Sequence, residues 1–291
     1  MENKIEIQNV SLKYGKKQSL ENISTVLEPG KMYGLIGRNG AGKTSLLSLI
    51  ASYKTPTSGT ITYDGEELFE HPRYRKRVHF GYDRVYKDEV IEKASKYYKA
   101  VNKHRPYFDK TYAEELIKKF NIDLNQSLSK YSSGMVSAFH VMLGLANRTP
   151  VTIFDEVYLG LDAPSREMFY EELLKEHERS DRTFILSTHL VSEMEHLFDH
   201  VLLIDRGKLI VDEDYETFTS RGMKVIGDHE AVDAFTADKK VLHVETLGGT
   251  KAATIYGELS EKEWAAAQSK DLELDPISLQ QLFTYLTKEE A

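Results

Sequence analysis

Eight consecutive residues, Gly37-Arg38-Asn39-Gly40-Ala41-Gly42-Lys43-Thr44, make a G-x-x-x-x-G-K-[ST] pattern. Residues of these types at this spacing hold the phosphates of a nucleoside triphosphate. The glycines let successive backbone N–H groups curl round a β-phosphate, and Lys43 reaches the β/γ bridge. Asn39, Gly40, Ala41, Gly42 and Ser45 complete the cradle, and Thr44 is left to ligate Mg²⁺.

Further along, Phe154-Asp155-Glu156 closes an apolar run. Two adjacent carboxylates beside a bound nucleotide divide the work: Asp155 holds Mg²⁺ through its water shell, and Glu156 polarises the attacking water as general base. Ser187-Thr188-His189 closes the next apolar run and puts an imidazole on the same edge as the phosphates, where His189 can donate to the γ-phosphate.

These groups need a parallel sheet to bring them together. Met32-Tyr33-Gly34-Leu35-Ile36 enters the loop as a strand, and Thr44 to Ala51 leaves it as a helix, so the positive end of that helix faces the phosphates. Val151-Thr152-Ile153-Phe154, Phe184-Ile185-Leu186-Ser187 and Val201-Leu202-Leu203-Ile204 are continuous apolar runs separated by helical stretches, the pattern of buried parallel strands. The opening is β-rich, with Ile5 to Val10 alternating as a half-buried strand and Ser58 to Gly65 reading as a strand and turn. From about 86 to 148 the pattern is helical and implies an inserted helical subdomain, in which the spacing of Tyr97, Tyr98, Tyr107, Phe108 and Tyr112 turns them inward. The other reading of those aromatics is a surface for a membrane partner's cytoplasmic helix.

Asp205-Arg206-Gly207-Lys208 is a hairpin turn, and the character changes around Arg221-Gly222. The fold class expected is therefore α/β, of the P-loop NTPase type, over residues 1–221, with a small C-terminal α+β appendage over residues 222–291.

Composition narrows the function. Among 291 residues, 41% are hydrophobic and 29% charged, and no apolar run is long enough to span a bilayer. The Met-Glu-Asn-Lys-Ile start has neither a basic region nor an apolar core, so no secretory signal is expected. With no cysteine, disulfides, Cys-ligated zinc and Fe–S clusters are excluded. A net charge of −8, with scattered basic residues, argues against nucleic-acid binding, and the short cluster His71-Pro72-Arg73-Tyr74-Arg75-Lys76-Arg77 reads as a solvated face.

In order and spacing, the chain from Tyr14 to His189 resembles the nucleotide-binding subunits of ABC transporters. The resemblance implies ATP as the nucleotide, Tyr14 as the aromatic stacked on adenine, and Asp162, in Gly160-Leu161-Asp162-Ala163, as the D-loop residue. It also makes His189 the switch histidine. The family signature, usually Leu-Ser-Gly-Gly-Gln, stands here as Tyr131-Ser132-Ser133-Gly134-Met135, so Ser132 and Gly134 take the positions that contact the γ-phosphate across a head-to-tail dimer. Tyr-Ser-x-Gly-Met, and the chain end Ile277 to Phe283, are similar to bacitracin-type antimicrobial-peptide exporter ATPases.

Two departures from the family pattern stand out. The glutamine expected after a Gly-Tyr strand is missing from Gly81-Tyr82-Asp83-Arg84-Val85, where Asp83 or Val85 takes its place, Asp83 being the candidate metal ligand. Ser137-Ala138 replace the Gln-Arg pair that follows the signature. Both imply slower turnover than a typical member.

The resemblance implies an ATP-hydrolysing subunit that works as a homodimer or heterodimer and powers a separate transmembrane permease from the inner face of the cell membrane. Its cargo would be antimicrobial or amphipathic peptides or drugs. The alternative is a soluble regulatory or sensing ATPase that signals to a protein partner without transport.

Overall fold

Short runs of β-branched and aromatic residues, apolar on both faces, have nowhere to go but the centre of a sheet, and that sheet carries the site. A computed structural model describes residues 3–69, 71–82 and 93–288. The chain divides into two units, Met1–His189 with Ile204–Ile210, and Leu190–Leu203 with Val211–Ala291.

The first unit opens with strands β1 (Ile5–Tyr14), β2 (Lys17–Leu27) and β3 (Met32–Ile36), helix α1 (Lys43–Ile50), strands β4 (Ser58–Tyr63) and β5 (Glu66–Glu67), helix α2 (Pro72–Arg77) and strand β6 (Val78–Tyr82). Helices α3 (Ala94–His104), α4 (Lys110–Lys119) and α5 (Ser133–Ala146) follow, then β7 (Val151–Asp155), α6 (Ala163–Arg179) and β8 (Thr183–Thr188). Next in chain order come α7 (Val191–Met194), β9 (His200–Asp205), β10 (Lys208–Asp214) and α8 (Tyr215–Ser220). One antiparallel sheet has the order β2-β1-β4-β5, and the larger sheet the order β10-β9-β3-β8-β7-β6.

Within the larger sheet, β3, β8, β7 and β6 are mutually parallel, and their register sets the geometry of everything that follows. Leu35 pairs with Ser187, Ser187 with Asp155, and Asp155 with Tyr82, so four strands finish in one row. Residues placed just after that row share the carboxyl edge, where open α/β sheets bind their ligands.

Helix α5 is apolar nearly all round and is buried accordingly. Its C-terminal carbonyls are satisfied by a buried guanidinium: Arg182 donates to Gly144 O (3.1 Å), Leu145 O (3.1 Å) and Glu176 Oε2 (2.8 Å). Arg148 then bridges Glu176 Oε1 (2.9 Å) and Asp109 Oδ2 (2.6 Å), and Lys119 reaches Glu172 (2.6 Å). Burial pulls Arg182 down to about 10, against the opposing pull of Glu176. The helical lobe is thus stitched to α6 by ion pairs rather than by apolar contact alone.

Of the lobe aromatics, Tyr98 and Tyr112 are buried as helical spacing suggests, but Tyr97 and Tyr107 are 47% and 38% exposed. The basic cluster is not wholly a solvated face either. Tyr74 is fully buried, and Arg77 donates to Asn3 Oδ1 (2.8 Å) and Tyr63 Oη (3.0 Å).

The second unit continues through β11 (Gly222–Asp228), α9 (His229–Thr236), β12 (Lys240–Leu247), β13 (Thr250–Tyr256), α10 (Glu261–Ser269), β14 (Glu273–Pro276) and α11 (Leu279–Leu286). Its antiparallel sheet has the order β12-β13-β11-β14. The core gathers Val225, Val232, Phe235, Ala253, Ile255 and Ala267. Capping boxes at Ser260/Glu263 and Ser278/Gln281 start α10 and α11, each satisfying the first free N–H groups of its helix.

Candidate functional site

The phosphate loop fills the gap between β3 and α1. Its last glycine, Gly42, has φ +120, and a side chain there would meet Leu20 at 2.8 Å and Ser19 O at 3.0 Å, so glycine alone fits. Gly42 is also the N-cap of α1, offers no side chain to its free N–H groups, and no acidic residue stands in the first turn. The positive end of α1 is therefore left for an anion from outside the chain. A cleft of 300 Å³ opens at that point, lined by the loop together with Tyr14, Ser19, Thr44, Ser45 and Glu156.

Lys43 is buried, and its ammonium lies between Gly37 O (2.7 Å) and Glu156 Oε1 (3.3 Å). His189 Nδ1 donates to the same Glu156 oxygen (3.0 Å). One carboxylate oxygen therefore joins three sequence-predicted residues that arrive from three different strand ends. Glu156 itself sits in the left-handed region (φ 56, ψ 18), a conformation unusual for a residue with a long side chain and typical of functional turns.

Asp155 accepts from Ser187 Oγ (2.5 Å) and is hydrogen-bonded by Thr44. Burial pushes its carboxyl up, and those two hydrogen bonds offset part of the push. Thr44, which lines the cleft, and Asp155, bonded to it, thus offer two neighbouring hard oxygen ligands, a fit to Mg²⁺. Among the described residues no cluster of three His, Asp or Glu could cage a metal.

Tyr14 ends β1, and its hydroxyl lies 3.4 Å from Ser45 Oγ, which in turn lies 2.8 Å from Ser19 Oγ. Burial raises the Tyr14 phenol, but hydrogen bonds from Ser45 and Lys54 outweigh it and hold the group below its ordinary value.

Ser132, Gly134 and Asp162 are not part of this cleft. Ser132 caps α5 by accepting from Met135 N (3.3 Å), and Asp162 caps α6 by accepting from Ser165 N (3.0 Å). The start of α5 packs on the turn after Glu156, where a Cβ on Gly160 would lie 2.3 Å from Ser137 Oγ. Asp83 and Val85 lie outside the described residues.

Sequence reasoning missed Ser19, Lys17 and Lys54. The first two line the cleft, and Lys54 Nζ stands 4.2 Å from the Tyr14 ring centroid. No motif carries these residues. The only available signal is their position on β2 and just beyond α1, next to elements already tied to the loop.

The sequence matches the family described as ABC transporter over residues 20–158. The ABC transporter ATP-binding protein NatA of Bacillus subtilis (strain 168) is 30% identical over 223 residues, covering 72% of this chain and 89% of that one. YtrB, an ABC transporter ATP-binding protein of the same organism, is 26% identical, covering 76% and 75%. The lantibiotic transport ATP-binding protein SrtF of Streptococcus pyogenes is 28% identical, covering 73% and 91%.

Among solved structures, an ATP-binding subunit of an ABC transporter superposes with a TM-score of 0.65 at 22% identity, over 74% of this chain and 91% of that one. A dimeric ATP-binding cassette in a post-hydrolysis state, bound to ADP and Pi, does so with a TM-score of 0.62 at 19% identity, over 72% and 98%. Both likenesses show the fold of an ABC ATPase cassette. A phosphate loop, an acidic pair and a histidine on one sheet edge, in a sequence 30% identical to NatA over most of its length, place the chain among the ATP-binding proteins of ABC transporters.

Proposed function

We propose that this chain binds and hydrolyses MgATP to power a separate membrane permease. The observation that carries this reading is the Glu156 carboxylate, held at one oxygen by Lys43 and His189 beside the cleft. In the working cycle the loop N–H groups and Lys43 hold the phosphates, and Thr44 and Asp155 hold Mg²⁺, which supplies charge neutralisation on the transferring phosphoryl group. Glu156 takes the proton of the attacking water, His189 orients Glu156 and senses the γ-phosphate, and Tyr14 stacks the base.

Ser132, Gly134 and Asp162 stand apart from the cleft of their own chain. Their role is to complete the site of a second protomer in a head-to-tail dimer, the free N–H groups at the start of α5 facing its γ-phosphate. The dimeric assembly of a structural neighbour supports that arrangement. Closure on two nucleotides does the mechanical work, and hydrolysis resets it.

No helix among the described residues is long and apolar enough to cross a membrane. The permease we infer is another polypeptide, which holds this chain at the inner face of the membrane. A groove of 430 Å³ walled by Tyr53, Phe80, Tyr82, Tyr97, Phe139 and Arg105 is the surface we assign to a cytoplasmic helix of that partner. Export of antimicrobial or amphipathic peptides is the transport we infer, on the strength of SrtF and of the signature Tyr131 to Met135. We take 1–221 as the ATPase domain and 222–291 as an accessory domain that begins with β11.

The test is steady-state ATPase activity of the purified chain as a function of its concentration, wild type against Glu156→Gln. Specific activity should rise with concentration, and the substitution should lower kcat about 10²- to 10⁴-fold while ATP binding persists. ATP binding without turnover at any concentration of the wild type would reject hydrolysis by this chain alone and favour a sensing role.

A further inference from the structure

Tyr14 stands at the base end of the cleft, yet little of the chain encloses it. Its ring is 43% exposed, it is the last residue of β1, and Gly15, in the left-handed region at φ +59, turns the chain away immediately afterwards. An exposed ring in that position samples several rotamers unless something fixes it. The 3.4 Å approach of Ser45 Oγ to the hydroxyl is too long to fix the ring plane by itself, and Lys54 and Ser48 also act on that hydroxyl.

Lys54 supplies the second constraint. Its Nζ lies 4.2 Å from the ring centroid, within the range in which an ammonium is drawn to a π face. The lysine backbone is itself anchored, since Lys54 N donates to Ser48 O (3.3 Å) where the chain leaves α1. The same helix begins with the phosphate-binding residues Lys43, Thr44 and Ser45. Tyr14 and Ser45 line the cleft whereas Lys54 does not. The ammonium therefore stands over the ring without itself lining the cleft.

We propose that Lys54 is a positioning residue for the nucleotide base, pinning Tyr14 from behind so that the opposite face is presented ready for a purine. The inference rests on the reading of Tyr14 as the base platform. It couples the two ends of the site through one short helix: α1 starts at the phosphates, and the residue that fixes the base platform leaves its end. A ring already held in place loses less freedom when the base stacks on it, so the gain belongs to nucleotides and not to phosphate chains.

The experiment titrates the full chain with adenylyl imidodiphosphate and with inorganic tripolyphosphate, each with Mg²⁺, by calorimetry. Wild type is compared with Lys54→Ala, Lys54→Arg and Tyr14→Ala, and steady-state kinetics with ATP accompany the titrations. Lys54→Ala should weaken the adenine nucleotide about 3- to 10-fold and leave tripolyphosphate within about twofold. KM for ATP should rise by a similar factor while kcat changes less than about twofold, and Lys54→Arg should restore wild-type behaviour because guanidinium also stacks on a ring.

Wild-type nucleotide affinity in Lys54→Ala, alongside a loss in Tyr14→Ala, would overturn the role of Lys54 and leave the platform standing. Equal losses for both ligands in Lys54→Ala would also overturn it, since a merely structural lysine acts on both. An unchanged Tyr14→Ala would remove the platform itself, and the inference with it.

Discussion

Glu156 shares one oxygen between an ammonium and an imidazole, and in the proposed cycle His189, which positions that carboxylate, acts on chemistry more than on binding. His189 touches the carboxylate and does not line the cleft, whereas Lys43 does both. His189→Ala should therefore lower kcat about 10- to 100-fold with KM for ATP changed less than threefold, as expected when an interaction made in the transition state is lost. Steady-state kinetics decide it; a KM effect with unchanged kcat would place His189 in ground-state binding instead.

The residue scale is also where the sequence was most legible. Gly37 to Thr44, Asp155 and Glu156 announce themselves because phosphate and metal chemistry tolerates few residue types at those spacings. Lys54 and Ser19 were not legible, because a lysine after a helix and a serine in a strand are ordinary residues until folding sets them beside Tyr14 and Ser45.

At the scale of elements, strand ends did what their apolar runs promised. β3, β7 and β8 are continuous hydrophobic segments, and such segments pack in parallel because helices cover both faces. What the pattern did not reveal is how the helical lobe is attached. Nothing in the spacing of the charged residues of α4 and α6 marks any as buried, yet Glu172 and Glu176 are, and Arg182 sits between the last carbonyls of α5 and Glu176. Ion pairing across elements has no periodicity in sequence, so it stays hidden until the partners meet. Removing Arg182 would leave Glu176 short of its buried partner and take a donor from Gly144 O and from Leu145 O, the latter keeping Arg148 N. Arg182→Ala should cost about 3–5 kcal/mol, readable as a shift in the urea midpoint, whereas an exposed pair such as Lys110–Glu114 should cost less than about 1 kcal/mol.

For the molecule as a whole, two histidines should make stability fall as the solution turns mildly acid. Burial holds His79 down to about 3, with the charge of Arg105 adding to it, and burial alone holds His140 down to about 4. Both side chains line the aromatic groove, where His79 Nδ1 lies 2.9 Å from Asn147 Nδ2. The unfolded chain takes up these two protons near pH 6.5 and the folded chain does not. The stability they allow is fully present above about 6.5 and is lost as pH falls from there toward 4 and then 3. Near pH 5 the loss should approach roughly 2–3 kcal/mol per pH unit, one proton for each histidine. Thermal unfolding midpoints between pH 7.5 and 5 check this: they should fall steeply in wild type and more gently in a His79→Gln/His140→Gln variant.

The left-handed backbone at Glu156 carries an implication for how this gene can decay. Such a conformation costs a long side chain roughly 1 kcal/mol and costs Gly, Asn or Asp much less. If Glu156 is the general base proposed above, glutamate persists at this position only while hydrolysis is under selection. In a paired protomer whose own site had become dispensable, local folding would favour drift toward those smaller residues. A duplicated copy of this cassette would then lose its base before its phosphate loop, keeping the ability to bind nucleotide and to close after it can no longer reset itself.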